Sequence, residues 1–159
     1  MRTRRATAAG AIAPAAGFTL VELLVVVAVI GIISSIAVAN LLNALDKARQ
    51  KRSMTDLRTI ATSVEAYATD ISHYPIALAD WPSLKAIINP YYMKTPPDAD
   101  GWDNTWTVAT TANGSDYTVC SLGKDNLVGP RPGGPTGEFG CDIVFTNGQF
   151  FQWPQGTQS

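Results

Sequence analysis

The stretch FTLVELLVVVAVIGIISSIAVANLLNAL, residues 18–45, decides the fold of this 159-residue chain. From Leu23 to Leu45 it carries no formal charge. As a helix rising about 1.5 Å per residue, those residues cover roughly 35 Å, which is enough to cross a bilayer. A buried helix of a water-soluble protein is the weaker alternative, because apolar residues occur on every side. We therefore predict a single membrane-spanning helix.

The residues before this stretch, MRTRRATAAGAIAPAAG, form a basic segment rich in small side chains. A secretory signal places its apolar run before the cleavage site, whereas here the apolar run follows the small residues. Cleavage after residue 17 would therefore remove the basic segment and keep the anchor. We predict a leader over residues 1–17, an anchor over 18–45 and a soluble head over 46–159.

Charge argues against nucleic acid as a partner. Loss of the three leader arginines leaves nine basic residues against 13 acidic ones, a net charge of about −4. Neutralising phosphates requires a clustered positive face, which such a chain lacks.

A helical pattern continues beyond the anchor. Apolar residues recur at three- and four-residue spacing with polar residues between them, which indicates an amphipathic helix; they are Met54, Leu57, Ile60, Ala61, Val64, Tyr67, Ala68 and Ile71. We expect one helix from about residue 18 to 70, with a break near Asp46 as the alternative. Tyr74-Pro75 would end it, because a residue before proline avoids the α conformation.

The remaining sequence predicts a short helix and a small sheet. The helix covers residues 81–88, and two pairs of strand-like segments flank Asn113-Gly114 and Asn147-Gly148, which are strong hairpin signals. Residues 128–140 are rich in Gly and Pro and predict a loop without regular structure. The fold class is α+β, with a long N-terminal helix packed on a small antiparallel sheet.

Two cysteines, Cys120 and Cys141, lie in the predicted head. If the head is exported, the compartment is oxidising and a disulfide between them is expected; two free thiols are the alternative. A zinc site usually needs four ligands at short spacing, so the pair does not predict one.

No enzymatic constellation is evident. The chain has one histidine, His73, and lacks both a Ser/His/Asp set and a glycine-rich phosphate loop. We therefore expect a protein that is not an enzyme.

The residues GFTLVELLVV, 17–26, placed after a basic leader, resemble the class III signal of type IV pilins and of the pseudopilins of type II secretion. The resemblance implies that a prepilin peptidase cuts between Gly17 and Phe18 and methylates the new amino group. It also implies that Glu22 assists assembly by meeting the N-terminus of a neighbouring subunit. Many pilins carry a proline in the second half of this segment, where this chain has Ala39.

The head resembles the major pseudopilin in particular. The similar segments are DGWDNTW at 100–106, YTVCSLGKD at 117–125 and the later Cys141-Asp142-Ile143. In that family the corresponding loop binds calcium, which implies Leu122 as a carbonyl donor and Asp125 and Asp142 as carboxylate ligands, with Ser121 as a weaker candidate. The alternatives are that the two aspartates cap turns and that the cysteine pair replaces the ion.

Together these resemblances imply a structural filament subunit, most closely the major pseudopilin of a type II secretion system. The alternative is the major subunit of a type IV pilus serving adhesion, motility or DNA uptake. The implied partners are further copies of the chain, the prepilin peptidase, an inner-membrane assembly platform and minor pilins or pseudopilins. The implied location is the bacterial inner membrane, crossed once with the head in the periplasm, and then the filament.

Overall fold

The computed structural model describes residues 17–156, so most of the predicted leader lies outside the described residues. Two helices, α1 (Leu20–Ile71) and α2 (Trp81–Ile88), precede a five-stranded sheet. The chain divides into two compact units between Ala39 and Asn40. The α+β architecture with a long N-terminal helix is confirmed.

Helix α1 is continuous over 52 residues, so the predicted single helix is confirmed and the alternative break near Asp46 is not present. It ends because Ser72 adopts a left-handed conformation, with φ of 67°, while its N–H still donates to the Ala68 carbonyl. The helix therefore ends three residues before the Tyr74-Pro75 signal.

The first unit contains the N-terminal part of α1, and every described residue in it is exposed. Of the described helices, α1 alone is long and apolar enough to cross a membrane. The first buried residue along the helix is Asp46, which belongs to the second unit.

The second unit has a single apolar core. The amphipathic part of α1 contributes Leu57, Ile60, Ala61 and Val64, as its three- and four-residue spacing predicts. They cluster with residues of α2 and the sheet, namely Trp81, Leu84, Ile88, Trp106, Val108, Tyr117, Val119, Ile143 and Phe145. Helix α2 begins where predicted, since the Asp80 carboxylate accepts a hydrogen bond from Ser83 N at 2.8 Å.

The sheet has the order β1-β2-β4-β5-β3. Its strands are β1 (Thr107–Thr110), β2 (Tyr117–Ser121), β3 (Gly134–Thr136), β4 (Ile143–Thr146) and β5 (Gln149–Pro154). The two predicted antiparallel hairpins, β1-β2 and β4-β5, are confirmed.

Strand β3 corrects the expectation that residues 128–140 lack regular structure. It pairs with β5 in parallel, with Pro135 opposite Trp153. Gly133 and Gly134 both have positive φ and turn the chain into the strand. The Gly133 N–H also donates to the Gln152 amide oxygen at 3.4 Å, which holds the turn against β5.

Both outer strands of the sheet have features that restrict pairing with a further strand. At the β1 edge, Thr110 N donates to the Leu78 carbonyl at 3.0 Å and Ala77 N donates to the Thr111 carbonyl at 3.2 Å. At the other edge, β3 has only three residues, one of which is Pro135 and has no N–H.

Candidate functional site

Glu22 caps the helix that carries it. Thr19 N and Thr19 Oγ1 both donate to Glu22 Oε2, at 2.9 and 2.7 Å, and Glu22 N donates back to Thr19 Oγ1 at 3.2 Å. This reciprocal arrangement is a capping box, which satisfies N–H groups that the first helical turn leaves unpaired. This role was not predicted, although the Thr-x-x-Glu spacing at residues 19–22 indicates it.

The predicted processing residues, Gly17 and Phe18, are exposed. Gly17 and Phe18 precede the first helical residue, and Phe18 is 76% exposed. A Cβ added at Gly17 would contact nothing within 4 Å. The peptide bond between Gly17 and Phe18 therefore lies outside α1.

The segment DGWDN, residues 100–104, folds around one buried carboxylate. Asp100 Oδ1 accepts hydrogen bonds from Trp102 N and Asn104 N, both at 2.9 Å. Asp100 Oδ2 accepts from the Ser121 hydroxyl at 2.5 Å. The loop is thereby joined to the end of β2.

The same loop docks on α1. Gly101 N donates to Ser53 Oγ at 2.9 Å. A Cβ at Gly101 would overlap the Arg49 carbonyl, so only glycine permits this approach.

Asp46 joins α1 to two loops of the head. Its carboxylate lies 2.7 Å from Lys124 Nζ and accepts a 3.5 Å hydrogen bond from Trp102 Nε1. The hydrogen bond from Lys124, opposed by burial and aided by Trp102, lowers the pKa of Asp46 below its ordinary value. Lys124 is 78 residues away in the chain, so no local sequence pattern indicated the pair.

Glu65 forms a second polar connection between α1 and the sheet. Its carboxylate accepts hydrogen bonds from the Tyr74 hydroxyl at 3.0 Å and from the Tyr117 hydroxyl at 2.9 Å. Burial, with a smaller effect of Glu65, raises the pKa of Tyr117, so this hydroxyl stays a donor. The helical pattern placed Glu65 on the polar side and gave no sign of these tyrosines.

Asp142 is fully buried, and its carboxylate is already paired. Arg131 Nε lies 2.7 Å from Oδ2, and Gly129 N lies 3.3 Å from each carboxylate oxygen. Two of the other predicted ligands, Asp125 and Ser121, have partners of their own. Asp125 is exposed and accepts from Leu127 N, Leu122 is half-buried, and the Ser121 hydroxyl donates to Asp100.

This donor set does not fit calcium. The ion takes six to eight oxygens, usually with several carboxylates among them. Across residues 17–156, no three His, Cys, Asp or Glu side chains come together as a metal site. Asp125 caps a turn, as the alternative proposed, whereas Asp142 forms an ion pair.

The predicted disulfide does not form in the structure, where Cys120 and Cys141 are both free. Cys120 pairs with Val144 across the β2-β4 ladder. Cys141 lies three residues further along, a displacement of about 10 Å at roughly 3.3 Å per residue. A disulfide needs Cα atoms within about 7 Å, and this offset along the two chains does not favour one.

Two protein families match this chain. The family described as "Type II secretion system (T2SS), protein G" matches residues 40–134, and the "Prokaryotic N-terminal methylation motif" matches residues 13–38.

Three relatives named type II secretion system core protein G align with most of the chain. The Vibrio cholerae protein is 33% identical over 148 residues, which cover 86% of this chain and 94% of the relative. The Escherichia coli (strain K12) protein is 30% identical over 141 residues, covering 82% and 89%. The Aeromonas hydrophila protein is 28% identical over 123 residues, covering 71% and 85%.

A long apolar N-terminal helix that continues into a head with a small sheet defines a pilin-like protein. Among such proteins, this chain belongs to the type II secretion system protein G family. The resemblance carried by residues 17–26 and 100–125 is therefore confirmed.

Proposed function

We propose that this chain is the major pseudopilin of a type II secretion system, a structural subunit that polymerises into a filament. The observation that carries the proposal is the pair of family matches, one on the N-terminal segment and one on the head, joined by the continuous helix α1. The protein G match over residues 40–134 favours this function over the type IV pilus alternative.

In this proposal the protein begins as an inner-membrane precursor with its head in the periplasm. A prepilin peptidase cuts between Gly17 and Phe18 and methylates the Phe18 amino group. The anchor of residues 18–45 stays attached after the cut, because it follows the cleavage site. An assembly platform, with minor pseudopilins, then moves the apolar helices from the membrane into a bundle of identical helices at the filament core.

Glu22 would be the assembly residue. The two hydrogen bonds that it accepts both go to Oε2. A neighbouring Phe18 amino group can therefore approach Oε1 while the capping box stays intact. A carboxylate in an apolar helix bundle needs such a positive partner, since an unpaired charge there is costly.

The processing step is tested by the intact mass of the mature protein from cells that carry the secretion genes. We expect a chain that begins at methylated Phe18. A mature chain beginning at another residue would contradict the assignment.

The role of Glu22 is tested with two variants that separate charge from capping. Glu22→Gln keeps a side-chain acceptor for the capping box but loses the charge, whereas Thr19→Val loses the capping hydroxyl and keeps the charge. We expect both precursors to be cleaved, and only Glu22→Gln to fail in filament formation and in secretion. Normal filament yield from Glu22→Gln would refute the charge pairing.

A further inference from the structure

The connection between β2 and β4, residues 122–142, is the part of the head where the family resemblance places calcium. A fully buried carboxylate such as Asp142 must be neutralised, because an unpaired charge is very costly away from water. Here the neutralising group comes from the chain itself. Arg131 Nε lies 2.7 Å from Asp142 Oδ2, and the Arg131 side chain is 31% exposed.

Arg131 also contacts β2. Its Nη2 atom lies 3.1 Å from Cys120 Sγ, so the guanidinium lies between a residue of β2 and the residue just before β4. An ion bound by loop residues would link the same two strands. One arginine therefore makes the link that the family assigns to a metal.

Gln152 fixes the backbone that carries Arg131. Its side-chain amide donates to the Asp142 carbonyl at 2.9 Å and to the Pro130 carbonyl at 3.5 Å, and its oxygen accepts from Gly133 N at 3.4 Å. Gln152 is itself fully buried. The segment that presents Arg131 is thus anchored on both sides by β5.

Asp142 is closed to solvent in this structure. Both carboxylate oxygens face Gly129 N, and the residue has no exposed surface. Calcium would have to displace Arg131 to reach this carboxylate, and it would then bring two positive charges where a single charge neutralises the carboxylate.

We propose that Arg131 takes the place of a divalent cation in this head, so that its own ion pair with Asp142, and not calcium, holds the β2-β4 connection. The inference concerns the folding of the head and does not depend on the proposed secretion function.

The experiment uses the full chain in detergent, with and without calcium. All four tryptophans, Trp81, Trp102, Trp106 and Trp153, belong to the second unit, so their fluorescence reports the unfolding of the head. We expect the same melting midpoint in millimolar calcium as in excess chelator. A bound ion at saturation would raise the midpoint by several degrees, and such a rise would overturn the proposal.

The matched variants are Arg131→Gln and Arg49→Gln. Loss of Arg131 leaves the buried Asp142 without a cation and should lower the midpoint by about 5–10 °C. Arg49 also lies beside a buried carboxylate, Asp46, but at 3.9 Å and with Lys124 remaining, so its loss should lower the midpoint by no more than about 2 °C.

The double variant Arg131→Gln/Asp142→Asn separates charge from packing. Removal of both charges should recover part of the midpoint lost in Arg131→Gln, because the uncompensated carboxylate is gone. Equal midpoints for Arg131→Gln and Arg49→Gln would overturn the proposal. If Arg131→Gln does not fold, the calcium comparison on the unaltered chain still decides the question.

Discussion

Asp46 shows how one charged residue can mark the point where a helix joins a folded head. It is 7% exposed and lies among Lys124, Trp102 and Arg49. Its folded pKa is lowered, so as pH falls the unfolded chain binds this proton first. The stability that Asp46 contributes is therefore fully present above the ordinary pKa of 3.8 and is lost as pH falls through the lower folded value.

This linkage predicts a difference in acid stability between the unaltered chain and Asp46→Asn. Urea unfolding followed by tryptophan fluorescence at a series of pH values below 5 should give a steeper loss for the unaltered chain. Asp98→Asn is the control, because Asp98 is 78% exposed at its side chain and pairs only at the surface. Parallel pH profiles for the unaltered chain and Asp46→Asn would contradict the prediction.

The two thiols should differ in reactivity. Burial raises the pKa of Cys120 to about 11, while Cys141 is half-buried beside Gly123. Since the thiolate is the reactive form, we expect a maleimide at neutral pH to modify Cys141 first and Cys120 only on unfolding. Mass analysis without reductant should find both thiols alkylatable after denaturation. A mass lower by two hydrogen atoms, with no alkylation, would show that the predicted disulfide forms.

At the scale of elements, the two Asn-Gly pairs look alike in sequence but differ in structure. Asn147 and Gly148 both have positive φ, as a tight hairpin requires, whereas of the first pair only Gly114 does. Asn147 also accepts a hydrogen bond from Tyr117 N at 3.0 Å and donates to Asp116 at 2.8 Å.

We therefore predict that Asn147→Ala lowers the free energy of unfolding by about 2 kcal/mol, through strained backbone and lost hydrogen bonds. Asn113→Ala should cost less than about 1 kcal/mol, because Asn113 has ordinary φ and its side chain accepts only exposed hydrogen bonds from Ser115. Equal losses of unfolding free energy for the two variants, measured by urea unfolding, would show that the positive φ of Asn147 does not contribute to stability.

The contact between the DGWDN loop and α1 should depend on the absence of a side chain at Gly101. Gly101→Ala should lower the free energy of unfolding by about 3 kcal/mol, since the new methyl group overlaps the Arg49 carbonyl. Gly137→Ala is the matched control, because a Cβ there meets nothing within 4 Å, and it should be neutral. An unchanged denaturation midpoint for Gly101→Ala would mean that the loop does not dock on α1.

Across the whole molecule, the elements that could be predicted from the sequence are those whose signals lie within a short stretch of residues. Helix α1 follows from periodicity and both hairpins from Asn-Gly turns, and helix α2 lies where it was predicted. Strand β3 could not be predicted, because Gly-Pro-Thr has no strand pattern and depends on the distant Gln152. The same holds for the Asp46–Lys124 pair and for Glu65 with Tyr117, which are 78 and 52 residues apart.

Candidate sites carried by neighbouring residues could likewise be predicted, whereas sites built from distant residues could not. The processing residues and Glu22 could be predicted because a contiguous motif carries them, and their roles stay predictions. The calcium ligands were transferred from a resemblance that did not include Arg131, whose partner is known only once β4 and its preceding loop are in place. The disulfide was expected from the compartment alone, and it stays a prediction, since both thiols are free in the structure.

The two outer strands of the sheet affect how closely packed heads interact. In the proposed filament, identical heads would stand side by side at very high local concentration, the condition under which open strands recruit one another into amyloid-like stacks. Here Leu78 occupies hydrogen-bonding positions at the β1 edge, and Pro135 withholds a donor at the β3 edge. Both edges of each head are therefore poor templates for strand exchange with its neighbours.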